Sequence, residues 1–241
     1  MRIDHLLVSR GLFDSRSQAQ AAIEAGLVTA DGVVVKKASA KVADNTVIEA
    51  EPAHRWVGRG ALKLDHALGL WPVAVEGRVV LDVGASTGGF TEVCLERGAA
   101  RIYAVDVGHG QMHPRVSASD RVVNLDRTDA RDLTRDLISE TPGLIVCDAS
   151  FIGLAKVLPA ALELVEADAD LVTLVKPQFE AERPGGSRKG VVKDAEARTA
   201  AVVSVSTWLE SVGWSVQAAT ESPITGGDGN VEYLLWARKR R

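Results

Sequence analysis

From Arg59 onward, short apolar runs alternate with stretches whose apolar residues recur at helical spacing. The runs predict strands over 78–83, 101–105, 121–125, 144–148, 171–175, 214–220 and 231–237. The helical stretches fall near 61–70, 89–97, 131–139, 154–166 and 195–212. Such alternation predicts an α/β fold with a seven-stranded, mostly parallel sheet covered on both faces by helices. Ligands of such sheets sit at the carboxyl ends of the strands.

The first fifty residues follow a different pattern. Ile3, Leu6 and Leu7 make one helical stripe that ends at a turn on Gly11. Ala19, Ala22 and Ile23 make a second, with Asp14 or Ser15 able to cap it and Gly26 where a C′ glycine belongs. Leu27-Val-Thr and Val33-Val-Val flank Ala30-Asp31-Gly32, a hairpin signal, and Thr46-Val-Ile-Glu offers another strand. The expected organisation is a small α+β domain over 1–52, a linker over 53–58 and a large domain over 59–241. The single Trp56 of the linker predicts a packed connection.

Composition narrows the class. With 46% hydrophobic and 25% charged residues, the 241-residue chain reads as an ordinary soluble globular protein. It shows neither a signal peptide nor an apolar run long enough to span a bilayer, so a cytoplasmic location is expected. Cys94 and Cys147 lack a C-x-x-C partner and fall in helix and strand interior, which predicts reduced core residues and no metal site. The net charge of −4 is uneven: residues 1–60 carry eight Lys/Arg against seven Asp/Glu, and the chain closes on Arg238-Lys-Arg-Arg241. This is a weak electrostatic footprint for nucleic acid, and solvated surface charge would look the same.

Candidate chemistry begins at Gly84-Ala-Ser-Thr-Gly-Gly-Phe-Thr91, between the run Val79-Val-Leu-Asp-Val83 and a helical stretch. Glycines at 84, 88 and 89 allow close backbone approach to a ligand, and the helix start offers free N–H groups. The spacing is not G-x-G-x-x-G and no Gly-Lys-Ser/Thr follows, so a dinucleotide fingerprint and a P-loop both match poorly. Asp106 ends the next apolar run, where a carboxylate takes a ribose hydroxyl pair. Asp148 and Lys176 end two further runs at the same edge, Lys63 lies on the helix before the first strand, and Glu232 opens the last. Four charged groups from distant positions could converge there, or form two unrelated ion pairs. Glu180-Ala-Glu-Arg-Pro-Gly-Gly-Ser-Arg-Lys-Gly190 is polar enough to serve as a lid beside the site.

Two resemblances sharpen this picture. Leu7-Val-Ser-Arg-Gly-Leu-Phe-Asp-Ser-Arg-Ser-Gln-Ala, Ile23-Glu-Ala-Gly-Leu-Val and Asp31-Gly32 resemble the small RNA-binding domain of ribosomal protein S-four, pseudouridine synthases and tyrosyl-tRNA synthetases. That resemblance implies a phosphate-binding face formed by Arg10, Ser15, Arg16, Gln18, Lys36, Lys37 and Lys41. Lys63, Asp148, Lys176 and Glu232 resemble the Lys-Asp-Lys-Glu tetrad of FtsJ-type ribose 2′-O-methyltransferases. More closely still, Arg59-Gly-Ala-Leu-Lys-Leu, Asp82-Val-Gly-Ala-Ser-Thr-Gly-Gly-Phe-Thr-Glu, Cys147-Asp-Ala-Ser-Phe-Ile, Leu174-Val-Lys-Pro-Gln-Phe-Glu and Gly229-Asn-Val-Glu-Tyr are similar to the TlyA family of ribosomal RNA methyltransferases, historically called hemolysins. The resemblance implies a Rossmann-like class I methyltransferase with S-adenosylmethionine as methyl donor. Gly84, Ala85, Ser86, Thr87, Gly88, Gly89 and Phe90 would hold its methionine part, Asp106 its ribose, Asp129 its adenine, and Asp148 would lie beside it.

The implied reaction is 2′-O-methylation of cytidine in ribosomal RNA, with ribosomal RNA or a subunit as partner. A ribose hydroxyl must lose a proton before it attacks, and Lys176, neutral at that moment, is the candidate base. The chain carries Asp148-Ala-Ser-Phe where exocyclic amine methylation would use an Asn/Asp-Pro-Pro-aromatic run, and Cys147 reads as buried rather than as a C5 nucleophile. A catalytically silent assembly factor would share the first domain, a nicotinamide oxidoreductase would share a glycine loop, and a membrane-active hemolysin would need a segment not found here. Members of the TlyA family that act on both subunits are longer at both ends, so the resemblance implies a large-subunit RNA target alone.

Overall fold

The computed structural model describes residues 1–180, 191–226 and 229–240, and divides into two compact units, Met1–Arg59 and Gly60–Arg241. The proposed lid lies almost wholly within 181–190, outside the described residues.

The first unit packs helices α1 (Ile3–Ser9) and α2 (Arg16–Glu24) on an antiparallel sheet of β1 (Val28–Ala30), β2 (Val33–Val34) and β3 (Ile48–Ala50), in the order β2-β1-β3. Of the two possible caps the protein uses Ser15, whose hydroxyl accepts from the Gln18 amide at 3.3 Å. Asp31 (φ 49°) and Gly32 (φ 77°) turn the hairpin with both central residues left-handed, the geometry that matches strand twist. Ile3, Leu7, Phe13, Ala22, Ile23 and Val28 are buried together. Trp56 is buried as well, and its carbonyl accepts from the Gln18 side chain at 3.2 Å.

The second unit begins with α3 (Gly60–Leu70) and alternates strands and helices: β4 (Val79–Val83), α4 (Gly89–Glu96), β5 (Arg101–Asp106), α5 (Pro114–Ser117), β6 (Val122–Asp126), β7 (Leu144–Cys147), α6 (Leu154–Val157), α7 (Pro159–Glu163), β8 (Asp170–Val175), α8 (Pro177–Glu180), α9 (Ala195–Ser211), β9 (Trp214–Glu221) and β10 (Tyr233–Lys239). The seven strands run in the order β6-β5-β4-β7-β8-β10-β9; only β10 is antiparallel to its neighbours. Strands β7 and β8 are buried along their whole length, the consequence of helices on both faces.

Two predicted helices take other forms. The stretch 131–139 has a single 3-10 turn at Ala130–Asp132, after which Leu133 leaves helical geometry (ψ 135°); Leu133 and Ile138 are both buried in the core. The stretch 154–166 breaks into α6 and α7 because Pro159 has no amide to continue the first helix and starts the second instead.

This topology positions the site. The chain leaves β4 toward β5 and β6, then returns to the other side of β4 as β7, so a crevice opens beyond the carboxyl end of β4. Val83 is paired with Val105 on one side and Cys147 on the other, which sets Gly84, Asp106 and Asp148 side by side. Because β10 is antiparallel to β8, its start lies at the end of β8, and Glu232, immediately before the strand, joins the edge where Lys176 emerges.

Candidate active site

Gly84 has φ 84°, and a Cβ there would lie 2.9 Å from the Cα and N of Ala149, so the loops after β4 and β7 touch backbone to backbone. Ser86, also left-handed at φ 48°, donates its amide to Asp106 Oδ2 at 2.8 Å, while the Gly108 amide donates to Oδ1 at 2.7 Å. Asp106 is thus held by one amide from each flanking loop and keeps lone pairs for a ligand. Behind the loop, Ala85, Gly88, Gly89 and Phe90 are buried and Thr87 half-buried. Gly88 caps α4 at φ 90° and packs against Val116.

A cavity of about 530 Å³ lies over this edge, with Gly84, Ser86, Asp106, Asp129 and Asp148 on its wall. Ala85, Thr87, Gly88, Gly89 and Phe90 shape the loop without lining that wall. Among the described residues the charged side chains of the wall are all carboxylates. An acidic wall suits a cationic nucleoside with an ammonium and a sulfonium, and repels a pyrophosphate. Asp129 is partly committed elsewhere: its carboxylate accepts from the Arg131 amide at 2.9 Å and the Arg131 guanidinium at 2.6 Å, which holds it below the usual carboxylate range.

Next to the cavity four side chains form a continuous run of opposite charges. Lys63 Nζ donates to Glu232 Oε2 at 2.6 Å and lies 3.8 Å from Asp148 Oδ2; Asp148 Oδ1 lies 2.6 Å from Lys176 Nζ. Lys63, Lys176 and Glu232 are all buried, and Asp148 is half-buried between them. Burying these charges is tolerable only because each faces an opposite one. Lys176 also donates to the Asp148 carbonyl at 3.1 Å and to Ser150 Oγ at 2.7 Å.

Ser150 was not among the residues expected at the site, although it stands inside the Cys147-Asp-Ala-Ser-Phe-Ile motif; a small polar residue in a loop carries no distinguishing pattern. Gln111, which also lines the cavity and accepts from the Ser86 hydroxyl at 3.2 Å, gave no signal either.

Beneath the site, fully buried Asp82 accepts from the Thr91 hydroxyl at 2.6 Å. Burial first, then the charges of Asp148 and Asp106, pushes its carboxyl up to about 7. Burial likewise pushes the Cys147 thiol up to about 12 and raises Cys94, so neither is a thiolate at neutral pH. Among the described residues no group of three or more His, Cys, Asp or Glu is arranged to hold a metal ion, and no helix is long and apolar enough to cross a membrane.

In the first unit, Lys36, Lys37 and Lys41 are exposed. Arg16 is half-exposed and pairs at 2.9 Å with buried Asp4, which also holds Arg2. Arg10 is exposed as well, and its guanidinium donates to the carbonyls of Thr46, at 2.7 Å, and Asp44. Ser15 and Gln18 are engaged in the helix cap, with Gln18 also reaching Trp56.

The FtsJ-like methyltransferase family matches residues 56–239, and the S4 domain matches residues 1–48. The chain is 46% identical over 239 residues to the 16S/23S rRNA (cytidine-2′-O)-methyltransferase TlyA of Mycobacterium tuberculosis, covering 98% of this chain and 89% of the relative. It is 35% identical over 182 residues to the 23S rRNA (cytidine-2′-O)-methyltransferase TlyA of Campylobacter jejuni, covering 75% and 70%. A solved structure from Streptococcus thermophilus, described as a candidate hemolysin, superimposes with a TM-score of 0.79 at 36% identity, covering 100% of this chain and 88% of that one.

Proposed function

The chain belongs to the FtsJ-like methyltransferase family, and on that premise we propose that it methylates the 2′-hydroxyl of a cytidine ribose in ribosomal RNA. Its methyl donor is S-adenosylmethionine. The observation that carries the reading is the run Glu232, Lys63, Asp148, Lys176 beside a cavity with an acidic wall.

When bound, S-adenosylmethionine supplies a methyl group already activated by the sulfonium, so the chain's own chemistry is directed at the acceptor. Gly84 and Ser86 would face the donor's methionine part and Asp106 its ribose, with Asp129 near the adenine. Lys176 takes the proton of the acceptor hydroxyl. Asp148 orients Lys176 from one side and Lys63 from the other, while Glu232 fixes Lys63; the two carboxylates balance the two amines in a site largely closed to water. Lys36, Lys37, Lys41 and Arg16 would grip RNA phosphates, with Arg10, Ser15 and Gln18 keeping their element in shape. The setting is the cytoplasm, where that RNA is found.

For the target we propose large-subunit RNA, the RNA named for the Campylobacter jejuni relative. The higher identity to the Mycobacterium tuberculosis relative, named for both subunits, favours a second reading in which small-subunit RNA is methylated too. The test of the base is Lys176→Ala: methyl transfer from labelled S-adenosylmethionine should vanish while calorimetric affinity for it stays near that of the wild type. Near-normal turnover would remove Lys176 from the role.

A further inference from the structure

Lys176 Nζ is surrounded by three oxygens: Asp148 Oδ1 at 2.6 Å, the Asp148 carbonyl at 3.1 Å and Ser150 Oγ at 2.7 Å. Nζ donates hydrogen bonds to the carbonyl and to the Ser150 hydroxyl and is paired by charge with Oδ1, a surrounding that suits an ammonium. A base needs a lone pair instead, and a neutral amine in the same place must turn it toward one of the three. An ionised carboxylate and a peptide carbonyl present only lone pairs of their own, so neither can face it. The Ser150 hydroxyl is the exception, because it accepts from the ammonium and, after rotation, donates to the amine. Accessibility points the same way: Ser150 is exposed and lies on the cavity wall, whereas Lys176 is 5% exposed and does not line it.

We propose that Ser150 is a catalytic residue that relays the acceptor's proton to Lys176. The inference rests on Lys176 being the base. The ribose 2′-hydroxyl hydrogen passes to Ser150 Oγ as the hydrogen already on Oγ passes to the Nζ lone pair, completing the ammonium. The ribose oxygen forms its bond to the methyl carbon, and the electron pair of the broken sulfur–methyl bond stays on sulfur. Ser150 ends as a hydroxyl accepting from Lys176, the arrangement seen in the structure, and the ammonium loses one proton to solvent before the next turnover.

The test is steady-state methyl transfer to isolated ribosomal subunits by the full-length chain and its Ser150→Ala, Ser150→Thr and Lys176→Ala variants, with rates also taken in mixtures of light and heavy water. Ser150→Ala should lose about 10²-fold in kcat, the lower end of the range for general acid–base catalysis, with KM for RNA and calorimetric affinity for S-adenosylmethionine nearly unchanged. Ser150→Thr, which keeps the hydroxyl, should recover most of the rate. The wild type should show a curved dependence on deuterium fraction, from two protons in flight, and Ser150→Ala a linear one. A Ser150→Ala enzyme with wild-type kcat beside an inactive Lys176→Ala, or a Thr variant no better than Ala, would overturn the relay and leave the base assignment standing. An active Lys176→Ala would instead remove the base assignment, and the relay with it.

Discussion

Lys63 and Glu232 meet at 2.6 Å although 169 positions separate them in sequence. One stands on the first helix of the second unit and the other at the start of its last strand, so their pairing ties the two ends of the sheet domain together at the site. Both side chains are nearly inaccessible, at 8% and 4%, which makes the pair expensive to break from one side.

Glu232→Ala should therefore lower stability as well as activity. Leaving Lys63 buried beside an empty position costs about 3–5 kcal/mol, enough to lower the melting temperature by roughly 5–15 °C in a domain of this size. Adding Lys63→Met should recover much of that stability and none of the methyl transfer. Thermal unfolding and a labelled-methyl assay on the same samples separate the two effects; recovery of activity in the double variant would show that the pair serves the fold alone.

Gly84→Val tests the loop contact. A branched side chain would enter the space of the Ala149 backbone at a left-handed φ of 84°, so the loops after β4 and β7 must part. Affinity for S-adenosylmethionine should fall by at least an order of magnitude by calorimetry, with the melting temperature lowered as well. Unchanged affinity would mean that the cofactor lies elsewhere.

Much of this arrangement was legible in the sequence, and the omissions have physical causes. Strand ends carrying Asp106, Asp148 and Lys176 stood out because a charge after an apolar run is rarely indifferent. The Asp31-Gly32 hairpin was readable because few residue pairs accept left-handed geometry at both positions. Periodicity misjudged 131–139, where Leu133 and Ile138 reach the core from a 3-10 turn and loop instead of from a helix. Ser150 gave no signal because what sets it apart is its hydrogen bond from the Lys176 amine, which no spacing encodes. The hydrogen bonds of Arg10 to two carbonyls are of the same kind: an arginine in an RNA-binding pattern looks alike in sequence whether or not it holds backbone oxygens.

Asp82 gives a prediction in pH. Its folded carboxyl titrates near 7 and its unfolded one near 3.8, so between those values the fold holds a proton that the unfolded chain has released. Its contribution is most favourable below the lower value and is lost as pH rises to the upper one. Asp82→Asn, which never carries the charge, should gain stability relative to the wild type across pH 4–7, by up to about 4 kcal/mol in total. Denaturant unfolding at several pH values measures the difference; a gap that does not widen with pH would mean Asp82 is ionised in the fold.

The first unit should act through phosphates. Replacing Lys36, Lys37 and Lys41 with Ala should weaken binding to ribosomal RNA and reduce the slope of log affinity against log salt by about 2–3. Arg10→Ala should instead lower the stability of the unit, since Arg10 holds the carbonyls of Asp44 and Thr46. Filter binding at graded salt and thermal unfolding distinguish these roles; an unchanged slope in the triple lysine variant would remove this face from RNA binding.

The most direct test of the account is to identify the methylated nucleoside. Purified large and small subunits lacking the modification would be incubated with the wild-type chain and labelled S-adenosylmethionine, and the RNA digested and resolved by mass spectrometry. The expected product is 2′-O-methylcytidine at a discrete position in large-subunit RNA, absent with Lys176→Ala. A methyl group on a base, or no incorporation into either subunit by a folded protein that binds the cofactor, would contradict it.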